Sequence, residues 1–423
     1  MNPKLTAAAT DTPSKGYLQI QVLSLTTQFP IQDAKIQITY KGAPDKTIEV
    51  LSTDTSGQTE SIALAAPPLD YSLTPGDEQP YSEYNLQIEA PGFQNTVISG
   101  TEILPDATAI QPVALEPVGD TEPVENPIVI PDHTLYGDYP PKIAEPEIVP
   151  VSETGEIVLS RVVVPETIIV HDGPPTDSSA RDYYVPYRDY IKNVASSEIY
   201  ATWPDTAITA NVLAIMSFTL NRVFTEFYRN KGYSFTITSS TAFDHKWIYG
   251  RNIYESISLI VDEIFDNYLS RPNVRQPILT QYCDGRQVQC EYKGWMTQWG
   301  SCALGEKGYS PIEILRNFYG SSMYINTAEQ IAGIPSSWPG YELTIGTSGD
   351  KVLQIQQQLD AIASIYTAIP RVATDGIYGD GTAAAVREFQ SIFGLPVTGV
   401  IDFKTWYKIS HIYVGITRIA ELQ

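Results

Sequence analysis

The chain of 423 residues carries a formal net charge of −22 at pH 7, with 43% hydrophobic and 11% aromatic residues. This length and composition favour two to four folded domains over a single core. The charge disfavours nucleic acid as a partner, because phosphates and a surface of this sign repel each other. Three cysteines are too few for a disulfide scaffold, and no run approaches ~18 uninterrupted apolar residues, so we expect no membrane span.

The N-terminal part of the chain has the pattern of a small β domain. Residues 1–16 are polar, lack the apolar core of a signal peptide and are expected to be disordered. Residues 17–116 alternate apolar and polar side chains between frequent turn signals, which predicts an all-β sandwich. Three segments resemble transthyretin-like and carboxypeptidase-regulatory domains, which implies a non-catalytic module or pro-region: residues 30–34, 53–57 and 90–93.

An acidic, proline-rich segment follows at residues 117–157. From Glu116 to Ile157 there are ten acidic residues, eight prolines and one base, Lys142. Because proline fixes φ and like charges repel, we expect an extended, poorly packed linker that is accessible to proteases. Only residues 135–137 and Tyr139 carry side chains suited to docking on a neighbour.

Residues 158–330 combine strand and helix patterns, which predicts an α+β domain. Strand-like runs occur at residues 162–164, 168–173 and 235–238. Two amphipathic helices are also predicted in this domain. One begins at Asp205 and ends by Gly232, and the other covers residues 252–268.

Glu198 is the strongest catalytic candidate in this domain. It is the single charged residue between Val194 and Pro204, and it precedes the first predicted helix among aromatic and aliphatic neighbours. Partial desolvation raises the pKa of a carboxyl group, which suits a general acid. The alternatives are a solvated loop acid or an acid that caps the helix. Asp205 is better explained as a helix N-cap than as a second catalyst.

Three blocks resemble the stage II sporulation protein D family of peptidoglycan lytic transglycosylases. They are residues 190–198 before an alanine-rich helix, residues 277–285 with their cysteine, and the Met-Thr-Gln-Trp-Gly-Ser loop at 296–301. The domain order and the text YIKNVASSEIYATWP are also similar to clostridial spore cortex-lytic enzymes. This resemblance extends from about residue 164 to the C-terminus.

The resemblance implies a mechanism with one carboxyl group. Glu198 protonates the bond between N-acetylmuramic acid and N-acetylglucosamine, and then accepts the proton of the muramic 6-hydroxyl, so that a 1,6-anhydro end forms. Substrate-binding roles follow for Gln298, Trp299 and Tyr282, with a structural loop as the alternative for the Gln-Trp pair. His245 orients Glu198 or a sugar hydroxyl in this interpretation, or else serves in packing.

No metal or other cofactor is expected. Cys283 matches the cysteine of the family, but a structural zinc needs four ligands and no histidine lies near Cys283 or Cys290 in sequence. We expect free buried thiols, with a disulfide between these two cysteines as the alternative. A serine hydrolase built on residues 171–172 and 178–179 is not indicated, because no Gly-x-Ser-x-Gly motif is present.

Residues 344–412 show three apolar stripes at helical spacing. They resemble the three-helix peptidoglycan-binding domain, whose Asp-Gly-x-x-Gly-x-x-Thr and Phe-Gln blocks match this sequence. We expect Tyr378 and Gln390 to contact ligand and the other matching residues to be structural. The matching residues are Asp375, Gly376, Gly379, Thr382, Phe389 and Gln390.

The sequence therefore predicts a multidomain protein with an N-terminal all-β sandwich, a central α+β catalytic domain and a C-terminal three-helix domain. Peptidoglycan glycan strands are the expected partner, and an activating protease that cuts within 117–157 is implied by the resemblance. The resemblance also implies a location in the spore coat and cortex or the cell envelope, reached without a recognisable signal peptide. The alternatives are a non-catalytic wall-binding protein that enhances an amidase and a phage or injection-system lysin.

Overall fold

The computed structural model describes residues 14–119, 127–148, 159–286, 290, 294–334 and 336–417. They form a β-rich N-terminal region, a mixed central region and a helical C-terminal region. The disorder expected for residues 1–16 concerns mainly residues 1–13, which lie outside the described residues. Residues 14–16 belong to the first strand.

Two β-sheets make up the N-terminal region. Its elements are β1 (Ser14–Ser24), β2 (Lys35–Tyr40), β3 (Ala43–Ser52), β4 (Ile62–Ala66), α1 (Asp70–Leu73), β5 (Ser82–Glu89), β6 (Thr96–Ile103), β7 (Thr108–Leu115) and β8 (Ile128–Val129). One sheet has the order β3-β2-β5-β6-β8, and in the other β1 lies between β4 and β7. Leu18, Ile20 and Val22 are fully buried, whereas Gln19 and Gln21 are partly exposed. This alternation confirms the predicted strand and its single buried face.

The acidic segment is more closely packed than its composition predicts. Within residues 127–148, β8 extends the larger sheet, and Ile130 and Leu135 are buried. Two of its acids form ion pairs with the central region, Glu145 with Arg222 and Glu147 with Arg271. The prediction of a poorly packed linker is therefore wrong here, because charges counted as mutually repulsive in the sequence have cationic partners in the fold.

The central region surrounds one long helix. Its helices are α2 (Tyr187–Glu198), α3 (Asp205–Phe224), α4 (Glu255–Ile264), α5 (Gln298–Glu306) and α6 (Pro311–Tyr319). Its strands are β9 (Val163–Val164), β10 (Thr167–His171), β11 (Asp182–Pro186), β12 (Ile237–Thr238), β13 (Ile253–Tyr254), β14 (Asn267–Ser270), β15 (Tyr282–Cys283), β16 (Met296–Thr297), β17 (Tyr324–Thr327) and β18 (Gln330–Ile331). α3 packs against α2, α4, α5 and α6.

The long helix α3 begins where the sequence predicts but ends eight residues before Gly232. Gly232, with φ of 87°, instead ends a short 3-10 turn at Arg229–Lys231, a left-handed conformation that favours glycine. Within the residues that the structure describes, α3 is the one helix long and apolar enough to cross a membrane, and 89% of its most apolar window is buried inside the protein.

The N-terminal and central regions share a sheet. β13 pairs antiparallel with β7, so that Ile253 lies opposite Ile110. The side chain of Asn252 bonds both the backbone N–H and the carbonyl oxygen of Glu102, at 3.0 Å each. The helix predicted from residue 252 therefore starts only at residue 255, because the residues before it pair with the N-terminal region.

Three helices form the C-terminal region: α7 (Asp350–Ala363), α8 (Asp380–Ile392) and α9 (Phe403–Thr417). The three apolar stripes predicted from the sequence are buried at their contacts, as at Leu359, Phe389 and Trp406. The predicted helical domain is confirmed. α9 also packs on α4 of the central region, and the guanidinium of Arg188 donates to the carbonyl oxygen of Tyr407 at 2.9 Å.

Candidate active site

Glu198 is the last residue of α2 and is only 4% exposed. Its Oε1 accepts a hydrogen bond from the backbone N–H of Lys246 at 2.7 Å. Its Oε2 accepts one from Nε2 of Gln298 at 3.2 Å, and the same nitrogen donates to the Glu198 carbonyl oxygen at 3.0 Å. Both carboxylate oxygens are thus held by donors from separate parts of the chain, which fixes the orientation of the acid.

Burial raises the pKa of Glu198 above its ordinary value. The cation of Lys142, the hydroxyl of Tyr282 and the donors from Lys246 and Gln298 act in the opposite direction without reversing the shift. A raised pKa keeps a carboxyl group protonated at a pH where a free glutamate is ionised. This is the property that a general acid requires.

The loop that bonds Glu198 is anchored at both ends. At one end, the buried carboxylate of Asp244 accepts hydrogen bonds from Arg222 Nε at 2.7 Å and the Tyr228 hydroxyl at 2.6 Å. At the other end, the amide of Asn193 on α2 bonds both the N–H and the carbonyl oxygen of Ile248, at 3.0 and 2.8 Å. These contacts fix the Lys246 amide. Sequence reasoning missed Asn193, whose partner lies 55 residues away.

Neither ring nitrogen of His245 forms a hydrogen bond with Glu198. It is fully buried, its Nδ1 lies 3.1 Å from the Tyr190 hydroxyl, and its ring is parallel to that of Tyr282 at 5.9 Å. Burial, with Lys142 and Arg222 nearby, lowers the pKa of His245 well below its ordinary value, so the ring is neutral. The geometry favours the packing alternative for His245.

Tyr282 lies directly beside the acid. Its hydroxyl is close enough to Glu198 to lower the pKa of that carboxyl group, yet it makes no hydrogen bond of ordinary geometry within the described residues. Tyr282 also lines the pocket that contains Glu198. Its hydroxyl therefore acts on the candidate acid from the wall of the same pocket.

Gln298 and Trp299 have different surroundings. Gln298, the first residue of α5, lines the Glu198 pocket and bonds the acid. Trp299 is 8% exposed and packs against the rings of Trp203 at 5.1 Å and Tyr200 at 6.0 Å. This geometry does not fit the expectation that Trp299 stacks on a sugar and favours the structural alternative for this ring.

The acidic segment supplies one wall of the Glu198 pocket. We call residues 131–148 the strap. It contributes Thr134, Gly137, Tyr139, Pro140 and Lys142 to the lining. The free volume is about 60 Å³, well below the roughly 300 Å³ at which ligand pockets begin. The strap therefore narrows the space beside Glu198.

Lys142 brings the charge of the strap into this pocket. Its ammonium lies 5.0 Å from the ring centre of Tyr282 and 5.1 Å from that of Phe218, and it donates to the carbonyl oxygen of Asp244. Burial lowers the pKa of Lys142, while Glu198 and Asp244 oppose that effect. The strap therefore places a cation within electrostatic reach of the candidate acid.

Cys283 and Cys290 form a disulfide, with their Cα atoms 5.7 Å apart. The expectation of free thiols is therefore wrong for this pair, and the alternative of a disulfide is the one found. Cys302 is free and buried. No group of three or more potential metal ligands occurs among the described residues, and a disulfide leaves Cys283 without the thiolate that zinc needs.

The histidine near Ser178 and Ser179 is part of a structural network. His171 Nδ1 lies 2.7 Å from Asp182, and its Nε2 lies 3.1 Å from the carbonyl oxygen of Asp177. Ser179 donates instead to the Asp177 carboxylate at 2.6 Å. A serine hydrolase needs the histidine nitrogen on the serine hydroxyl, and this arrangement lacks that contact.

Tyr378 and Gln390 are buried inside the C-terminal region, where they hold loops. The Tyr378 hydroxyl donates to the carbonyl oxygen of Gly399 at 2.8 Å. Gln390 bonds the backbone of Thr398, Gly399 and Val400. Asp375 likewise accepts from the Ile377 N–H at 2.9 Å. Both side chains face inward and have partners there, which favours a structural role, and ligand contact by Tyr378 and Gln390 stays a prediction.

Comparison with known proteins adds an independent finding. Residues 348–409 match the family of peptidoglycan binding domains. Over 102 residues the chain is 31% identical to the spore cortex-lytic enzyme of Bacillus cereus, a match that covers 24% of this chain and 37% of that protein. The C-terminal region is a domain of the peptidoglycan-binding type. The chain spans little more than a third of the length of its curated relative.

Solved structures also show similarity. The N-terminal domain of SleB is 31% identical, with 18% of this chain and 99% of that chain covered and a TM-score of 0.16. The 5-hydroxyisourate hydrolase of Klebsiella pneumoniae is 17% identical, with 24% of this chain and 92% of that chain covered and a TM-score of 0.17.

Proposed function

We propose that this protein is a peptidoglycan-lytic enzyme of the spore cortex or cell envelope, and specifically a lytic transglycosylase whose catalytic residue is Glu198. The observation that carries the proposal is the buried Glu198 carboxyl group, whose pKa is raised and whose two oxygens are each held by a donor. The peptidoglycan-binding domain at residues 348–409 supports the substrate class.

One carboxyl group suffices for this chemistry. The Glu198 carboxylic acid donates its proton to the oxygen between N-acetylmuramic acid and N-acetylglucosamine, and the C1–O bond of the muramic sugar breaks. The carboxylate then accepts the proton of the muramic 6-hydroxyl, whose oxygen bonds to C1. This nucleophile belongs to the same sugar, so no water has to be recruited. The proton returns to Glu198, and the products are a free N-acetylglucosamine hydroxyl and a 1,6-anhydro end.

The position of the strap beside Glu198 is an argument that the intact chain is a precursor and that proteolysis activates it. With about 60 Å³ free beside Glu198, the substrate gains access only after the strap moves. A protease that cuts within 117–157 breaks the covalent connection between the N-terminal region, a β-sandwich in this proposal, and residues 159–417, and the N-terminal fragment must then dissociate. Two contacts of the strap must then break: the electrostatic attraction between Lys142 and Glu198, and the ion pair of Glu145 with Arg222.

The test is mass spectrometry of fragments released from purified cortex peptidoglycan. The intact chain is compared with the chain cut between Ile148 and Leu159 under conditions that release the N-terminal fragment. We expect 1,6-anhydromuramic ends from the cut chain alone. Glu198→Gln should lower their yield by at least ~10²-fold, the usual contribution of a general acid.

Asp205→Asn is the matched control, since it removes the next carboxylate along the chain and should leave the products unchanged. Reducing ends in place of anhydro ends mean a hydrolase and a second carboxylate. Peptidoglycan binding without any cleavage leaves the alternative, a non-catalytic protein that enhances a wall amidase. The small volume of the pocket is the observation that favours this second candidate.

A further inference from the structure

A second groove adjoins the loop that holds Glu198. It is bordered by residues 246–249, and the backbone N–H of Lys246 is the group that donates to Glu198. Its volume is about 430 Å³, within the range of roughly 300–1,000 Å³ that is typical of small-molecule sites. The groove is therefore larger than the pocket beside Glu198, which the strap narrows. Its opposite wall is formed by residues 127–129 and Pro131, beside β8.

Three aromatic rings cluster at this groove. The rings of Tyr183 and Tyr249 stack with centroids 4.8 Å apart and an interplanar angle of 25°, and Trp247 lies 5.1 Å from Tyr183. Trp247 is 5% exposed and anchors the cluster, whereas Tyr249 is 42% exposed. Tyr249 stacks on the partly buried Tyr183, which in turn contacts the buried Trp247, so the three rings form a preorganised apolar face with little entropy left to lose on binding.

Polar groups of both signs border the same face. Asp172 and Lys246 line the groove with the rings. The Asp172 carboxylate is oriented by the hydroxyl of Ser239, which donates to it at 2.8 Å. Lys246 is half-buried, and its ammonium interacts with both Asp172 and Glu198. A ligand on the rings thus meets an acceptor and a donor at the edge of the groove.

We infer that this groove binds N-acetylated sugar units of a glycan strand, next to the units that Glu198 contacts. The inference rests on the proposed function for the identity of the polymer. The C–H face of a pyranose packs on a flat aromatic ring, and its hydroxyl and acetamido groups need donors and acceptors at the ring edge. A neutral sugar also avoids the repulsion that a chain of net charge −22 exerts on anionic ligands.

The position of the groove gives it a role in the reaction. Lys246 donates its backbone N–H to Glu198, and its neighbours Trp247 and Tyr249 present their rings to the groove. The rings of Tyr183, Trp247 and Tyr249 belong to the central region, so they stay with Glu198 after the strap and the wall at residues 127–129 have left, and sugar units stacked on them are neighbours of the reacting sugar in this inference. Binding energy from these remote units aligns the reacting sugar with the acid.

The test uses the full chain and the tetrasaccharide of N-acetylglucosamine as probe. Calorimetry gives the affinity, and hydrogen exchange locates the contact. We expect the probe to slow amide exchange at residues 246–249, and Tyr249→Ala to abolish that protection and weaken this binding event by about tenfold or more, as expected when a stacking ring is lost. Tyr309→Ala is the matched control, because Tyr309 is also 42% exposed but lies outside the groove lining.

Several results overturn the inference. One is that millimolar tetrasaccharide does not slow amide exchange at residues 246–249, or slows it at residues 348–409 alone. Another is unchanged protection in Tyr249→Ala, and a third is protection by stem peptides in place of the tetrasaccharide. Glu198→Gln should bind the probe normally. If Tyr249→Ala loses protection while Glu198→Gln keeps cleaving peptidoglycan, the groove stands and the proposed catalytic acid fails. If Tyr249→Ala keeps the protection while Glu198→Gln stops cleaving peptidoglycan, the catalytic acid stands and the groove fails.

Discussion

The cation with the largest effect on the candidate acid comes from a distant part of the sequence. Lys142 is the single base in the acidic segment, and it is the largest favourable charge acting on the Glu198 carboxylate. A nearby cation stabilises the ionised form of a carboxyl group and so lowers its pKa. The strap therefore opposes the protonated state of Glu198 as well as filling space beside it.

Replacing Lys142 with methionine should raise the pKa of Glu198 further. The cation lowers this pKa, so its loss leaves burial less opposed, and the protonated form persists to higher pH. The measurement is the carboxylic acid C=O band of Glu198, obtained as the infrared difference between each protein and its Glu198→Gln counterpart over a pH series. Lys307→Met is the control. A band that disappears at the same or a lower pH in Lys142→Met contradicts the electrostatic role of the strap.

Local sequence properties made Glu198 predictable, and the family resemblance pointed to Gln298 and Tyr282 beside it, but Lys142 and Asn193 were not predicted. A lone acid in an uncharged, aromatic run signals desolvation without any knowledge of the fold. Lys142 and Asn193 reach Glu198 or its loop through contacts between distant segments, and no local pattern marks those contacts. The inward orientation of Tyr378 and Gln390 was not predictable either, because a motif identifies a residue without showing where its side chain points.

At the scale of elements, α2 is held in place by buried charges. Arg188 and Lys192, on α2, both bond the Asp262 carboxylate of α4, at 3.2 and 2.7 Å. Burial alone raises the pKa of Asp262, but Lys192, Lys408 and Arg188 outweigh it and lower the pKa below its ordinary value. Since α2 ends at Glu198, this cluster also supports the position of the acid.

Asp262→Asn should destabilise the protein by about 3–5 kcal/mol, because it leaves buried cations without their partner. The pKa of Asp262 is lowered in the folded state, so its contribution is complete above the unfolded value of about 3.9 and is lost as pH falls toward the folded pKa. Denaturant unfolding at pH 7 and below pH 4 checks both points. Asp189→Asn, on the exposed side of α2, should cost at most about 1 kcal/mol, and an equal loss in both variants contradicts the assignment.

Helices with a clear period were predicted, and elements that depend on partners were not. The stripes of α3, α7, α8 and α9 follow from residue spacing alone. β13 has two residues and exists because β7 of another region pairs with it. α2 was overlooked because nearly all of its side chains are buried, polar ones included, so it lacks the exposed polar face that marks an amphipathic helix.

For the whole molecule, the N-terminal region is bound to the central region by more than the covalent chain. Arg251 forms two hydrogen bonds with the Glu102 carboxylate, at 2.9 and 2.6 Å, and both side chains are fully buried. Arg251 also donates to the carbonyl oxygen of Ser196, two residues before Glu198. Separation of the two regions exposes the edge of β7 and leaves Arg251 without its counter-charge.

Cutting the chain between Ile148 and Leu159 should therefore leave the two fragments associated. The shared sheet and the Glu102–Arg251 pair remain intact after one peptide bond is broken, and the strap keeps Lys142 beside Glu198. We expect the fragments to co-elute on size-exclusion chromatography, and peptidoglycan cleavage to begin only when mild denaturant or Glu102→Gln releases the N-terminal fragment. Glu89→Gln, at an exposed position of the same region, is the control that should not release it. Fragments that separate at once in native buffer contradict this noncovalent hold, and full activity in fragments that still co-elute shows that the strap does not block the site.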